Sequence, residues 1–135
     1  MHRINRSLLF LIVFLTSCSV RTAPPAAPPG FVSWDKKLIE LGAVKKGEKR
    51  SFSYEFTNTS AEAIQIDIVD ACECTKVDFP RGIIAQGGKG KLDVVFDSAE
   101  KTAAETISIN VIFKNKQANG VPRIEIVEYR FEIAP

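Results

Sequence analysis

A chain of 135 residues, 45% hydrophobic and 25% charged, has room for one folded domain with an ordinary core. Its 18 basic and 16 acidic residues leave a formal charge of +2, and two of the arginines, Arg3 and Arg6, precede a processing site read below. The remainder is balanced, which removes any electrostatic case for nucleic acid as a partner.

Met1 to Arg6 is a short basic leader, and Ser7 to Leu15 follows as an apolar run without a charge. The run is shorter than the roughly 20 residues a membrane-spanning helix needs. Residues 1–17 therefore read as a secretory signal. Leu15-Thr16-Ser17-Cys18 resembles the bacterial lipoprotein box. That resemblance implies a lipid on the Cys18 thiol, with cleavage leaving this cysteine as the first residue; the alternative is an ordinary signal peptide with an incidental cysteine. A lipidated Cys18 is a thioether, closed to disulfide and metal. Several acyl chains, each buried CH₂ adding about 0.8 kcal/mol, make the membrane a partner through Cys18. The expected location is the bacterial cell envelope, anchored at the outer membrane on its periplasmic or surface face.

Residues 18–30 hold Pro24-Pro25 and Pro28-Pro29 among alanines, a composition that favours extended polyproline II and cannot form a core. At about 3.1 Å per residue the stretch from Ser19 to Gly30 reaches at most roughly 37 Å. The folded domain is expected over residues 31–135.

Within it, period-two alternation recurs and helical periodicity does not. Lys37–Leu41 is the expected first strand, closed by a turn through Lys45-Lys46-Gly47-Glu48. Phe52, Tyr54 and Phe56 alternate with Ser53 and Glu55, and Asn58-Thr59-Ser60 turns the chain. Ile64, Ile66 and Ile68 should share one face. Val77 and Phe79 form a short run ended by Pro80, and Gly87 to Gly90 is a loop. Leu92, Val94 and Phe96 alternate next, then Ile107, Ile109, Val111 and Phe113. Ala99–Glu105 is the one stretch with room for a helical turn, and Asn119-Gly120 is a turn signal. In the last run, Ile124 and Ile126 lie on one phase and Val127, Tyr129, Phe131 and Ile133 on the other, which predicts a β-bulge near Ile126-Val127. Seven to eight such strands predict an all-β, immunoglobulin-like antiparallel sandwich.

Cys72 and Cys74 are the two cysteines of this domain. Three readings stay open: a small apolar pair at the rim of the core, a strained or reducible disulfide, and a dithiol for a soft ion such as Cu(I). Two residues of flat strand span about 6.7 Å between α-carbons, near the limit for a disulfide, so a bond there requires a bend. Residues 3–135 contain no His and no Met beyond the first two positions, so general acid–base work would fall on carboxylates, Lys, Tyr or the thiols. Gly82 and Gly87 have P-loop spacing, but Gly88 stands where Lys is required. No metal and no cofactor are expected.

Phe56-Thr57-Asn58-Thr59-Ser60, Cys72-Glu73-Cys74-Thr75 and Leu92-Asp93-Val94-Val95-Phe96-Asp97 together resemble the bacterial domain-of-unknown-function family 1573, related to major sperm protein and Hydin-type domains. In that family the cysteine motif is usually Cys-Gly-Cys-Thr; here Glu73 stands at the glycine. The resemblance implies the immunoglobulin-like fold and often a lipoprotein setting, and no established activity. Three smaller signals complete the reading. Lys36, Lys37, Lys45, Lys46, Lys49 and Arg50, offset by Asp35, Glu40 and Glu48, suit a solvated edge. Trp34 is expected to cap one end of the sandwich, with ligand stacking as the alternative. Asp97-Ser98-Ala99 resembles an O-glycosylation acceptor, which makes Ser98 a candidate modification site. The expectation is a non-catalytic envelope lipoprotein that binds another envelope protein; the alternative is a thiol-redox or Cu(I)-binding protein using Cys72 and Cys74.

Overall fold

The computed structural model describes residues 30–135. The signal reading at 1–17, Cys18 and the tether up to Pro29 lie outside the described residues. Eight strands follow: β1 Val32–Trp34, β2 Leu38–Lys45, β3 Lys49–Asn58, β4 Ile66–Asp70, β5 Thr75–Asp78, β6 Lys89–Asp97, β7 Glu105–Lys116 and β8 Pro122–Ala134. They form two four-stranded sheets, β1-β3-β6-β5 and β2-β8-β7-β4. No helix occurs among the described residues; the Ala99–Glu105 stretch is a turn and a bend.

The alternating side chains make the core. Tyr54 and Phe56 of β3, Leu92, Val94 and Phe96 of β6, Ile107 to Phe113 in steps of two on β7, and Val127, Tyr129 and Phe131 of β8 are all buried. Each such residue contributes roughly 1.5–3 kcal/mol by leaving water. The centre is aromatic: the Tyr129 ring lies 5.0 Å from Phe52 and 5.2 Å from Phe96, and Phe96 lies 4.5 Å from Phe131. All of these residues fall within β1–β8, so the domain contains its own core.

Four expectations are corrected. The first strand is β1, three residues beside the proline-rich tether and too short to show alternation. The pairing of β2 with β8 is parallel, not antiparallel. The reason is connectivity: β1 pairs in one sheet, the chain crosses through Asp35 to Lys37, and β2 continues in the other sheet beside the final strand.

Ile68 does not share a face with Ile64 and Ile66. The register shifts between Ile66 and Ile68, which turns Ile68 outward while Val69 packs on the core. The bulge expected near Ile126-Val127 is absent: β8 keeps one register against β7 from Ile112↔Ile124 to Glu105↔Phe131. Val127, Tyr129 and Phe131 fill the core, and Ile124 and Ile126 stand on the outer face. Besides the shift at Ile66/Ile68, the register of this sheet slips between Ile112 and Lys116 next to the hairpin and between Glu40 and Gly42 of β2, where Gly42 takes φ +67°.

Candidate functional site

Cys72 and Cys74 sit in the turn that carries the chain from β4 in one sheet to β5 in the other. Thr75 N–H donates to the Cys72 carbonyl at 2.9 Å, closing the turn, and Asp97 N–H donates to the Cys74 carbonyl at 2.9 Å. The bend brings the two α-carbons to 5.2 Å, and the sulfurs are bonded to each other. Glu73 occupies the middle of the turn without positive φ, so this geometry does not need glycine. Neither sulfur is a metal ligand in this state. Among the described residues no group of three or more His, Cys, Asp or Glu side chains could hold an ion.

Both sulfurs are partly buried and packed against the core. The Thr75 hydroxyl lies 3.2 Å from Cys72 Sγ and 2.6 Å from the Tyr129 hydroxyl, which lies 4.0 Å from Cys74 Sγ. Thr75 and Tyr129 are buried, so the pair forms a polar column from the core to the disulfide. Burial holds the Tyr129 phenol above its ordinary pKa, against the opposing pull of the Thr75 bond. Thr75 is the residue that inspection of the sequence undervalued. Its place directly after the cysteine pair was visible; its hydrogen-bond partner, 54 positions away, was not.

Ser98 is fully buried, with its hydroxyl 2.7 Å from the Lys45 carbonyl and 2.9 Å from the Glu48 carbonyl. In the folded domain this hydroxyl is out of solvent and donates into the Lys45–Glu48 turn, so modification at Ser98 would require that turn to open. Asn58 is likewise structural. Its side-chain amide donates to the Glu62 and Ile84 carbonyls, and its carbonyl oxygen accepts from Ser60 N–H and the Ser60 hydroxyl. Trp34 lies 4.9 Å from Phe56 and donates from Nε1 to Glu125 at 3.2 Å, which places its ring in the packing rather than in a ligand site.

The surface offers two further features. Six ion pairs occur among the described residues, and the first-turn cations enter three of them: Lys37–Glu125, Lys49–Asp97 and Arg50–Glu48. They are the solvated fringe expected of an edge. Beside them, β2 is an eight-residue edge strand, paired on one side only with β8. The other three edge strands, β1, β4 and β5, have three, five and four residues.

Comparison with known proteins places the fold. A protein of unknown function from Porphyromonas gingivalis is 21% identical, with a TM-score of 0.62 over 82% of this chain and 50% of that one. The PapD-like domain 7 of human CEP192 aligns over 98% of both chains at 12% identity and a TM-score of 0.61. The VesB protease of Vibrio cholerae matches at 20% identity and a TM-score of 0.59, over 76% of this chain and 32% of the protease. The chain thus spans a third to a half of these two bacterial proteins, and at such identities the likeness establishes the fold alone. No curated protein sequence matches the chain. The family profile of DUF1573, proteins of unknown function, matches residues 32–126, from β1 into β8 and across the cysteine turn; this chain belongs to that family.

Proposed function

We propose that this protein is a non-catalytic envelope lipoprotein, anchored through Cys18, whose sandwich binds an extended segment of another envelope protein along the free edge of β2. The observation that carries the reading is that edge: eight residues, Leu38–Lys45, hydrogen-bonded on one side only. An added strand would gain main-chain hydrogen bonds there, and alternate side chains would supply specificity. The bulge at Gly42 limits the register a partner strand can take, which favours one partner over indiscriminate edge pairing. The test is photo-crosslinking in cells from Ala43 on β2 and from Lys76 on the opposite edge. The expected result is one envelope protein captured from Ala43 and not from Lys76. Equal capture from both, or none, would overturn it.

A second reading is favoured by the disulfide turn. A dithiol reductant would deliver two electrons and two protons, opening the Cys72–Cys74 bond and itself becoming a disulfide. The Thr75 hydroxyl, 3.2 Å from Cys72 Sγ, would then donate to the thiolate and lower its pKa. Thiol labelling after graded reduction decides this reading. Labelling at reductant levels that leave the fold intact supports it; labelling only in denaturant removes it.

A further inference from the structure

We infer that the end of the sandwich where the chain enters rests on an anionic lipid bilayer, through the β7–β8 hairpin and the outer isoleucines of β4, β7 and β8. This rests on the anchored reading above and gives the anchored domain an orientation.

The entry point comes first. The Gly30 carbonyl accepts from the Thr59 hydroxyl at 2.5 Å. The Phe31 ring lies edge-on to Phe113 at 5.0 Å, and the Arg123 guanidinium lies 4.7 Å over it. Phe113 and Arg123 flank the hairpin that closes at Lys116↔Pro122. Cys18 and the proline-rich tether precede Gly30 in the sequence, so the anchor of the processed chain joins the domain at the hairpin end.

Next to this polar hairpin tip, the outer face of β4, β7 and β8 is apolar. Ile68, Ile112 and Ile124 stand side by side across three strands, with Ile126 in the next row. Ile68, Ile124 and Ile126 are 54%, 51% and 48% exposed, as are Val121 in the hairpin at 47% and Ile83, beside Lys114, at 73%. The outer face of the other sheet presents one large apolar side chain, Val95, among Lys49, Ser51, Ser53, Lys76, Lys91 and Asp93.

The charge agrees. Arg81, Lys114, Lys116 and Arg123 lie at this end, and none enters any of the six ion pairs of the described residues. Arg81 lies 4.0 Å over the Phe79 ring instead. The neighbouring carboxylates are Glu62 and Asp67, with Asp78 and Glu55 on the Phe79 side near Arg81, while Glu125 is taken by Lys37 at 3.0 Å. Residues 1–29 contain no Asp or Glu, so the attached segment cannot neutralise the end either. Exposed aliphatic side chains beside Lys114 and Lys116, which share the outward phase of Ile112, match the acyl boundary and headgroups of an anionic leaflet. An acidic protein would also match the cations, but the anchor delivers this end to lipid whatever else is present. A tether of about a dozen residues makes the contact intramolecular and keeps this end within roughly 37 Å of the bilayer.

The test uses the full chain as made in cells, reconstituted in phosphatidylglycerol-containing vesicles and in phosphatidylcholine vesicles, with a photo-crosslinking residue at Ile124 or at Val95. The expected result is lipid adduct from Ile124 at least about fivefold above Val95 in the anionic vesicles, cut about fivefold or more by Lys114→Ala with Lys116→Ala. Equal yields at the two positions, or a protein adduct in place of lipid at Ile124 in cells, would overturn the orientation while the chain still floats with vesicles. Failure to float would instead overturn the anchored reading on which it rests.

Discussion

The Thr75–Tyr129 pair joins the disulfide turn to the centre of the core, and each hydroxyl is worth what its partner makes it. Tyr129→Phe leaves the buried Thr75 hydroxyl without its 2.6 Å neighbour and should cost about 1–3 kcal/mol, measured as a shift in urea midpoint. Tyr54 is buried too, its hydroxyl donating to the Glu128 carbonyl at 2.6 Å. Burial raises the pKa of both phenols, and at Tyr54 the neighbouring Tyr129 and Glu128 add to it. A raised folded-state pKa contributes stability that is complete below the unfolded value near 10 and is lost as pH rises through the folded value. The domain should therefore lose stability steeply above about pH 10, and Tyr54→Phe should flatten that loss in denaturation curves taken at pH 9 and pH 11. Gly90 is a third residue with one fixed answer. A Cβ there would run into the buried Phe56 ring, so Gly90→Ala should destabilise by about 1–3 kcal/mol or more through overpacking.

At the scale of single strands, β8 shows how one segment can satisfy two apolar phases without a bulge. Its odd-numbered set is buried between the sheets, and Ile124 and Ile126 face out. Ile109→Ala on the buried face of β7 should cost about 2–5 kcal/mol. Ile124→Ser should stay within about 0.5 kcal/mol in the same denaturation assay, because nothing folds over it. A large cost at Ile124 would mean that the outer row is a structural layer and not a contact surface. In β2, Gly42 has open space around its α-carbon, so the penalty of Gly42→Ala is backbone alone, about 1–2 kcal/mol for a left-handed residue.

Across the whole molecule, stability comes from two stacked sheets and hardly from the disulfide. The cysteines are two positions apart, and so small a loop removes little unfolded-state entropy, about 1.5 kcal/mol. Reduction should leave the domain folded, with a midpoint shift no larger than that. The two ends of the sandwich differ: the hairpin end holds the chain entry, exposed isoleucines and unpaired cations, and the cysteine turn reaches Asp97 towards the other end. That polarity is what an oriented, surface-bound domain would use.

The all-β class was legible because period-two alternation is a local property of the chain: Tyr54-Phe56, Leu92-Val94-Phe96 and Ile107 to Phe113 each announce a buried face within a few residues. The turn at Asn119-Gly120 was legible from its own residues, whereas the bend at Cys72–Cys74 was required by just one of the three readings left open. Tertiary structure alone decided which of two apolar phases of β8 went inside, that Ile68 turned outward, that β2 joined β8 in parallel, and that the Ser98 hydroxyl was already spent on the Lys45–Glu48 turn. Each of these depends on partners 20 to 90 positions away, and no window of adjacent residues contains them.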